Sequence, residues 1–265
     1  MVETRRLGAL TEVLHAAVYF APEAESAYLD LGLRGFWPGY FASRAAALGP
    51  ASAELVTAVF AGFAPDFVAR AVPQIWRVVS PRDVLQARQD AAVGALRRLL
   101  GDDGVDVTRA ASLTGSAVAS LDLAGRPLAA AHAALPRPDD PLAALWHDCT
   151  VLREHRGDGH VAAVTAAGLR WPVPHLMAAD RVPDRQQEFR GWSDAQWQAA
   201  EEEAADVDPA AAAVLEEHTD VLAARAYETI DTVALRRLLE PLAQLVVDGD
   251  GVPFPNAMGL RRPEL

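Results

Sequence analysis

Eight consecutive residues, Arg153-Glu154-His155-Arg156-Gly157-Asp158-Gly159-His160, place two guanidiniums, two carboxylates and two imidazoles in one short stretch. Burying so many ionisable groups is costly unless they pair with each other or with a ligand. The octet therefore points either to a buried polar network or to a binding site. His155 and His160 are candidate ligands for a metal ion or haem iron, and candidate acid–base groups. Five residues apart on a straight helix, they would sit about 140° apart. A break at Gly157 and Gly159 would be needed to bring them together. The usual zinc helix sets its histidines four apart with a glutamate between them, which this is not. Arg153 or Arg156 would hold an anion, and Glu154 and Asp158 complete the candidate ligand-binding set.

Other residues offer weaker versions of the same chemistry. His15 and Tyr19 are one helical step of four apart, and a His–Tyr pair can position a substrate or move a proton. Glu23 continues the spacing, but Pro22 intervenes. The plainer alternative is a core imidazole and phenol that satisfy one another. Tyr40 and Arg44 repeat the step of four in an aromatic-rich stretch, where a cation beside rings suits an anionic or aromatic ligand. Trp146 lies seven residues before Arg153, about two helical turns, and would lie on the same helical face, as a pocket wall or as core. The lone Cys149 reads as a small buried hydrophobe.

These groups need elements to hold them, and the pattern is mostly helical. Apolar residues recur at helical spacing from Thr4 to Ala21, and Ser80-Pro81 is a strong helix start. Pro73 limits the segment after Pro65. The stretch from Pro136 to Pro141 holds too many prolines for helix or strand and marks a boundary. A helix from Leu142 should run into the octet. Ser193, followed by Asp194, caps another, and the stretch Val207 to Leu245 is helical with one break. Only Trp76 to Val79 and Val173 to Met177 suggest short strands. The tail from Gly249 is expected to be irregular.

Composition excludes several classes. The chain has 265 residues, is 51% apolar and 23% charged, and carries a net charge of −12. All 24 Lys+Arg residues are arginine, so no Schiff-base lysine and no Walker lysine is available. The acidic balance disfavours nucleic acid, which is bound by neutralising phosphates. No G-x-S-x-G elbow and no dinucleotide glycine fingerprint occurs. One cysteine, no leader and no apolar run near about 20 residues make a soluble cytoplasmic protein, without membrane partners, the expectation.

The strings LHAAVYFAPEA, LGLRGFWPGYFASRAAALG, FAGFAPDFVARAVPQIW, LREHRGDGHVAA and RGWSDAQW resemble an actinobacterial family labelled helix-turn-helix. The resemblance runs from about Arg5 to Leu245. It implies a mainly α fold of two packed winged-helix-like units, residues 1–135 and 142–248, with few short strands and a tail over 249–265. Where the family carries a wing-like segment, this chain has EEEAADVDPAAAA from Glu201 to Ala213, so the second wing is expected to be shortened or lost. A second departure is Trp171-Pro172-Val173-Pro174-His175 after the octet.

Three functions follow as expectations. The first is a small-molecule-binding protein, with a catalytic role and a place in specialised metabolism left open, whose pocket lies between the N-terminal helices and the octet. The second is a winged-helix DNA-binding regulator, weakened by the acidic helix after Ser193. The third is an enzyme using His15, Tyr19, His155 and His160, with a metal or haem cofactor left open. A homodimer is left open in each case.

Overall fold

Helix α9, Pro141–Ala166, is the axis around which the other elements are arranged. Asp140 starts it by accepting the Ala143 N–H, with Pro141 as the first helical residue. The helix is buried on most of its sides, as befits a central helix. It packs against α1 (Val2–Phe20), α6 (Pro81–Leu100), α7 (Val107–Ala119), α8 (Pro127–Ala133) and α13 (Ala211–Ala224). The computed structural model describes residues 2–101, 104–177 and 186–263.

The remaining helices complete the enclosure. They are α2 (Pro22–Asp30), α3 (Phe36–Ala45), α4 (Ala53–Phe60), α5 (Pro65–Val78), α10 (Val173–Met177), α11 (Gln186–Arg190), α12 (Asp194–Ala205) and α14 (Thr232–Asp248). One apolar cluster runs from Leu7 to Met258 and takes residues from both sides of the proline-rich 136–141 stretch. The fold is mainly α, and no strand occurs among the described residues.

Both expected strands are therefore corrected. Trp76 to Val78 is the last turn of α5, where Val68, Val72 and Ile75 form one buried stripe that outweighs local β propensity. Val173–Met177 is the short helix α10. Pro73 does not end its segment either. It sits inside α5 at an exposed position four residues after exposed Ala69, whose freed carbonyl water can reach. The Glu201–Ala213 stretch is the end of α12, a turn and the start of α13.

One core residue is poorly compensated. Arg88 on α6 is 2% exposed. Its Nη1 donates to His132 Nδ1 at 3.3 Å, and its guanidinium lies 5.0 Å from the Trp146 ring centroid. Its Nε and Nη2 have no hydrogen-bond partner among the described residues. A cation–π contact contributes about 0.5–2 kcal/mol. Burying an ion costs several kcal/mol, and each unmade buried hydrogen bond costs about 1–3 kcal/mol.

Candidate functional site

The octet lies in the middle of α9 without interrupting it, so its members point to different sides. Gly157 and Gly159 do not break the helix, so the condition for joining His155 and His160 is not met. A Cβ at Gly159 would fall 2.1 Å from Arg126 Nη1, so the missing side chain lets Arg126 cross the helix and donate to the His155 carbonyl at 2.8 Å. Gly8 on α1 does the same for Arg156, whose Cδ would be 3.1 Å from a Cβ there.

Arg153, Glu154 and Arg156 build an ion-pair network between α1, α3, α9 and α13. Arg44 on α3 donates from Nε and Nη2 to the two oxygens of Glu154, each at 2.9 Å. Arg153 Nη1 donates to the same carboxylate at 2.9 Å and its Nε reaches Glu12 at 3.4 Å. Burial raises the pKa of Glu154, but the two guanidiniums outweigh it and hold it well below the usual carboxylate range. Arg156 pairs with Glu216 and, at 2.7 Å, with Asp220, which Arg5 also grips at 2.6 Å.

Beside this network is a cavity of about 440 Å³. Tyr40, Arg44, Arg153, Arg156 and His160 line it, so five of the expected site residues share one space. The others do not line it. Glu154 stands directly behind Arg44 and Arg153. Asp158 faces α8, where it accepts the Ala129 N–H at 3.0 Å. His155 is 3% exposed, and burial with nearby Arg126 lowers its pKa to about 4. Trp146 lines a different cavity, beside Arg88.

His15 and Tyr19 are buried together with a closed set of bonds. Thr150 gives its hydroxyl proton to Trp146 O at 3.0 Å, so it accepts from His15 Nδ1 at 2.9 Å. His15 Nε2 then accepts from the Tyr19 hydroxyl at 3.1 Å. Glu23 is elsewhere, paired with Arg98. Cys149 is fully buried, and burial pushes its thiol pKa up, which disfavours the nucleophilic thiolate.

His155 and His160 are not brought together: His160 Nδ1 lies 3.1 Å from Thr219 on α13, on another side of the helix. Among the described residues, no group of three or more His, Cys, Asp and Glu side chains is placed to hold a metal ion. No described helix is long and apolar enough to cross a membrane.

The octet supplies only part of the wall. Trp171 and His175, from the Trp-Pro-Val-Pro-His segment, meet at a tilt with ring centroids 4.9 Å apart on another side of the cavity. His175 Nε2 donates to Gly62 O at 2.9 Å, and burial, with Arg190 nearby, lowers its pKa to about 3. Arg190 also lines the cavity. It differs from the octet arginines in that its acceptors among the described residues are neutral, including Met258 O at 2.7 Å and Gln186 Oε1 at 3.3 Å. Its guanidinium lies 4.5 Å from the Phe63 centroid, and burial lowers its pKa. The Arg-Gly-Trp motif is what holds it there. Gly191, at φ 73°, leaves no room for a Cβ against Phe67, and Trp192 Nε1 donates to Gly62 O at 3.1 Å.

Fold and cavity together define a helical protein with an arginine-rich cavity between its first, third and central helices. The chain belongs to a helix-turn-helix family, whose sequence model matches residues 4–253. No curated protein and no solved structure gives a significant match.

Proposed function

We propose that this protein binds a small anionic molecule with a planar or apolar body in the 440 Å³ cavity. The volume is in the range of small-molecule sites, about 300–1,000 Å³. The observation that carries the reading is Arg190. The octet arginines and Arg44 and Arg5 are matched by Glu12, Glu154, Glu216 and Asp220, whereas Arg190 has only neutral acceptors among the described residues. A ligand carboxylate or phosphate would complete it with charge-assisted bonds. Trp171, His175 and Phe60 supply flat walls for the rest of the ligand. Acid–base work by His15 and Tyr19 is outside this reading, since neither lines the cavity.

The test is a melting-temperature screen of the purified protein against a panel of anionic and neutral metabolites. At least one anionic compound should raise the melting temperature. Arg190→Ala should weaken its binding about 10–100-fold, the loss of a charged hydrogen-bond pair. A panel without any shift, or an undiminished shift in Arg190→Ala, would sink the proposal.

A second reading, a DNA-binding regulator, is favoured by the family and by one surface. Helix α4, a turn at residues 61–64 and α5 form a helix–turn–helix succession. Arg70, Gln74 and Arg77 are exposed at helical spacing on α5, whereas α12 exposes Asp194, Glu201 and Glu202, which repel phosphates. If α5 docks on DNA, binding to the gene's own promoter region should fall steeply with salt. Changing Arg70 and Arg77 to Ala together should reduce the log–log salt slope by about 2. Anisotropy titrations at several salt concentrations measure it, and salt-independent or undetectable binding would exclude this reading.

A further inference from the structure

A second cavity, of about 550 Å³, lies between α6, α8 and α9 and shares no lining residue with the first. Arg88, His132 and Trp146 line it. The buried polar atoms of Arg88 and His132 that lack a partner among the described residues are all donors. A guanidinium cannot accept, so His132 Nδ1 must accept from Arg88 Nη1. The ring is neutral because burial, with Arg88 beside it, lowers its pKa to about 3. Its proton is therefore on Nε2, which has no acceptor among the described residues. Arg88 Nε and Nη2 are in the same position. The site thus combines one buried charge with unused N–H groups on two neighbouring side chains. The carboxylate that lines the cavity, Asp139, is exposed and on the linker. Asp148 is already held by Arg137 and Thr114. Glu154 is bonded to Arg44 and Arg153, and no carboxylate among the described residues bonds Arg88 or His132.

We infer that this cavity is a second ligand site, which takes a small organic acid with its carboxylate on Arg88 and His132. Leu85, Leu135, Pro136 and the Trp146 ring give an apolar seat for the body of the acid. That wall favours a carboxylate with a ring or short chain over inorganic phosphate. The site is independent of the 440 Å³ cavity, and either can fail without the other.

The experiment is thermal melting of the full chain with sodium benzoate and, separately, inorganic phosphate, at fixed ionic strength. Wild type and Arg190→Ala should both show a saturable benzoate rise of at least about 2 °C. Arg88→Met should lose that rise. It should also melt no lower than wild type without benzoate, because it removes an unpaired buried cation. A benzoate rise that survives in Arg88→Met, or no rise in wild type, overturns the site. A response to phosphate but not benzoate overturns the organic-acid assignment. Should Arg88→Met fail to fold, a crystal soaked with 4-bromobenzoate decides. An anomalous bromine peak between α6, α8 and α9 supports the inference, and its absence from there overturns it.

Discussion

Replacing Glu154 by Gln is expected to cost about 3–5 kcal/mol of folding stability, the range for breaking a buried ion pair from one side. The carboxylate is 0% exposed and takes three hydrogen bonds from two guanidiniums, whose side chains are 8% and 13% exposed. Gln keeps the shape but not the charge, and one of its terminal atoms becomes a donor facing a donor. Arg44 retains the Tyr40 hydroxyl at 3.2 Å and the Phe60 face at 4.2 Å, and Arg153 retains only the more distant Glu12. Those contacts are too weak to replace a shared anion. The double variant Arg44→Met, Glu154→Gln should cost less than the sum of the single changes, since the first removes one cation that the second orphans. Urea melts measure this. A Glu154→Gln protein within about 1 kcal/mol of wild type would show that the network contributes little. The same change should loosen the cavity wall, because Glu154 fixes the two arginines that form it.

The density of charge at 153–160 was legible in the sequence, and so was its placement in or beside a helix. The partners were not. Arg156 is completed by Glu216 and Asp220 and by a glycine at position 8, far away in the chain, and helical periodicity carries no such pairing. The glycines were ambiguous for a related reason. In a sequence, a glycine such as Gly159 signals either a break or a close approach, and only the position of Arg126 decides for the second. Helix starts fared better because caps are local chemistry. Ser80 accepts from Asp83 N, and Ser193 forms a full capping box with Gln196. The same Ser193 signal hid a second role of the segment before it, where Arg190 reaches the cavity and Trp192 fastens residue 62. Arg88 gave no sequence signal at all. It lies one step of four from Val84 and Ala92 on the buried face of α6, where pattern predicts an apolar residue.

The turn at 61–64 connects the two functional readings. Gly62 lines the cavity, and its carbonyl receives both the His175 and the Trp192 N–H. The Ala64 N–H donates to Arg190 O at 2.9 Å, immediately before α5 begins. A ligand on Arg190 would thus press on the element that positions Arg70 and Arg77. Ligand binding and DNA binding need not be rivals in such an arrangement, and the two sets of arginine variants separate them.

Asp158→Asn is expected to stabilise the protein by about 2–3 kcal/mol at pH 7.5 and by almost nothing at pH 4. Asp158 is 4% exposed, and burial raises its pKa to about 6, with Glu154 adding to the rise. The Ala129 and Leu128 N–H groups at the start of α8, together with Arg44, oppose it without cancelling it. Arg126 is also close enough to feel the charge. In the unfolded chain the group titrates near pH 3.9. Below that value both states hold the proton and the residue carries no penalty. Between about 4 and 6 the unfolded chain ionises while the folded one stays neutral, so this residue's contribution to stability falls as pH rises. Above about 6 the loss is complete. Asn is neutral throughout, and its oxygen can still accept the Ala129 N–H. Subtracting the variant's stability from that of wild type across pH 4–8 cancels the other carboxylates, whose titration both proteins share. A flat difference curve, or a variant less stable at pH 7.5, would mean that the charged form of Asp158 is paired in the fold, with Arg44 and Arg126 as the cations that act on it.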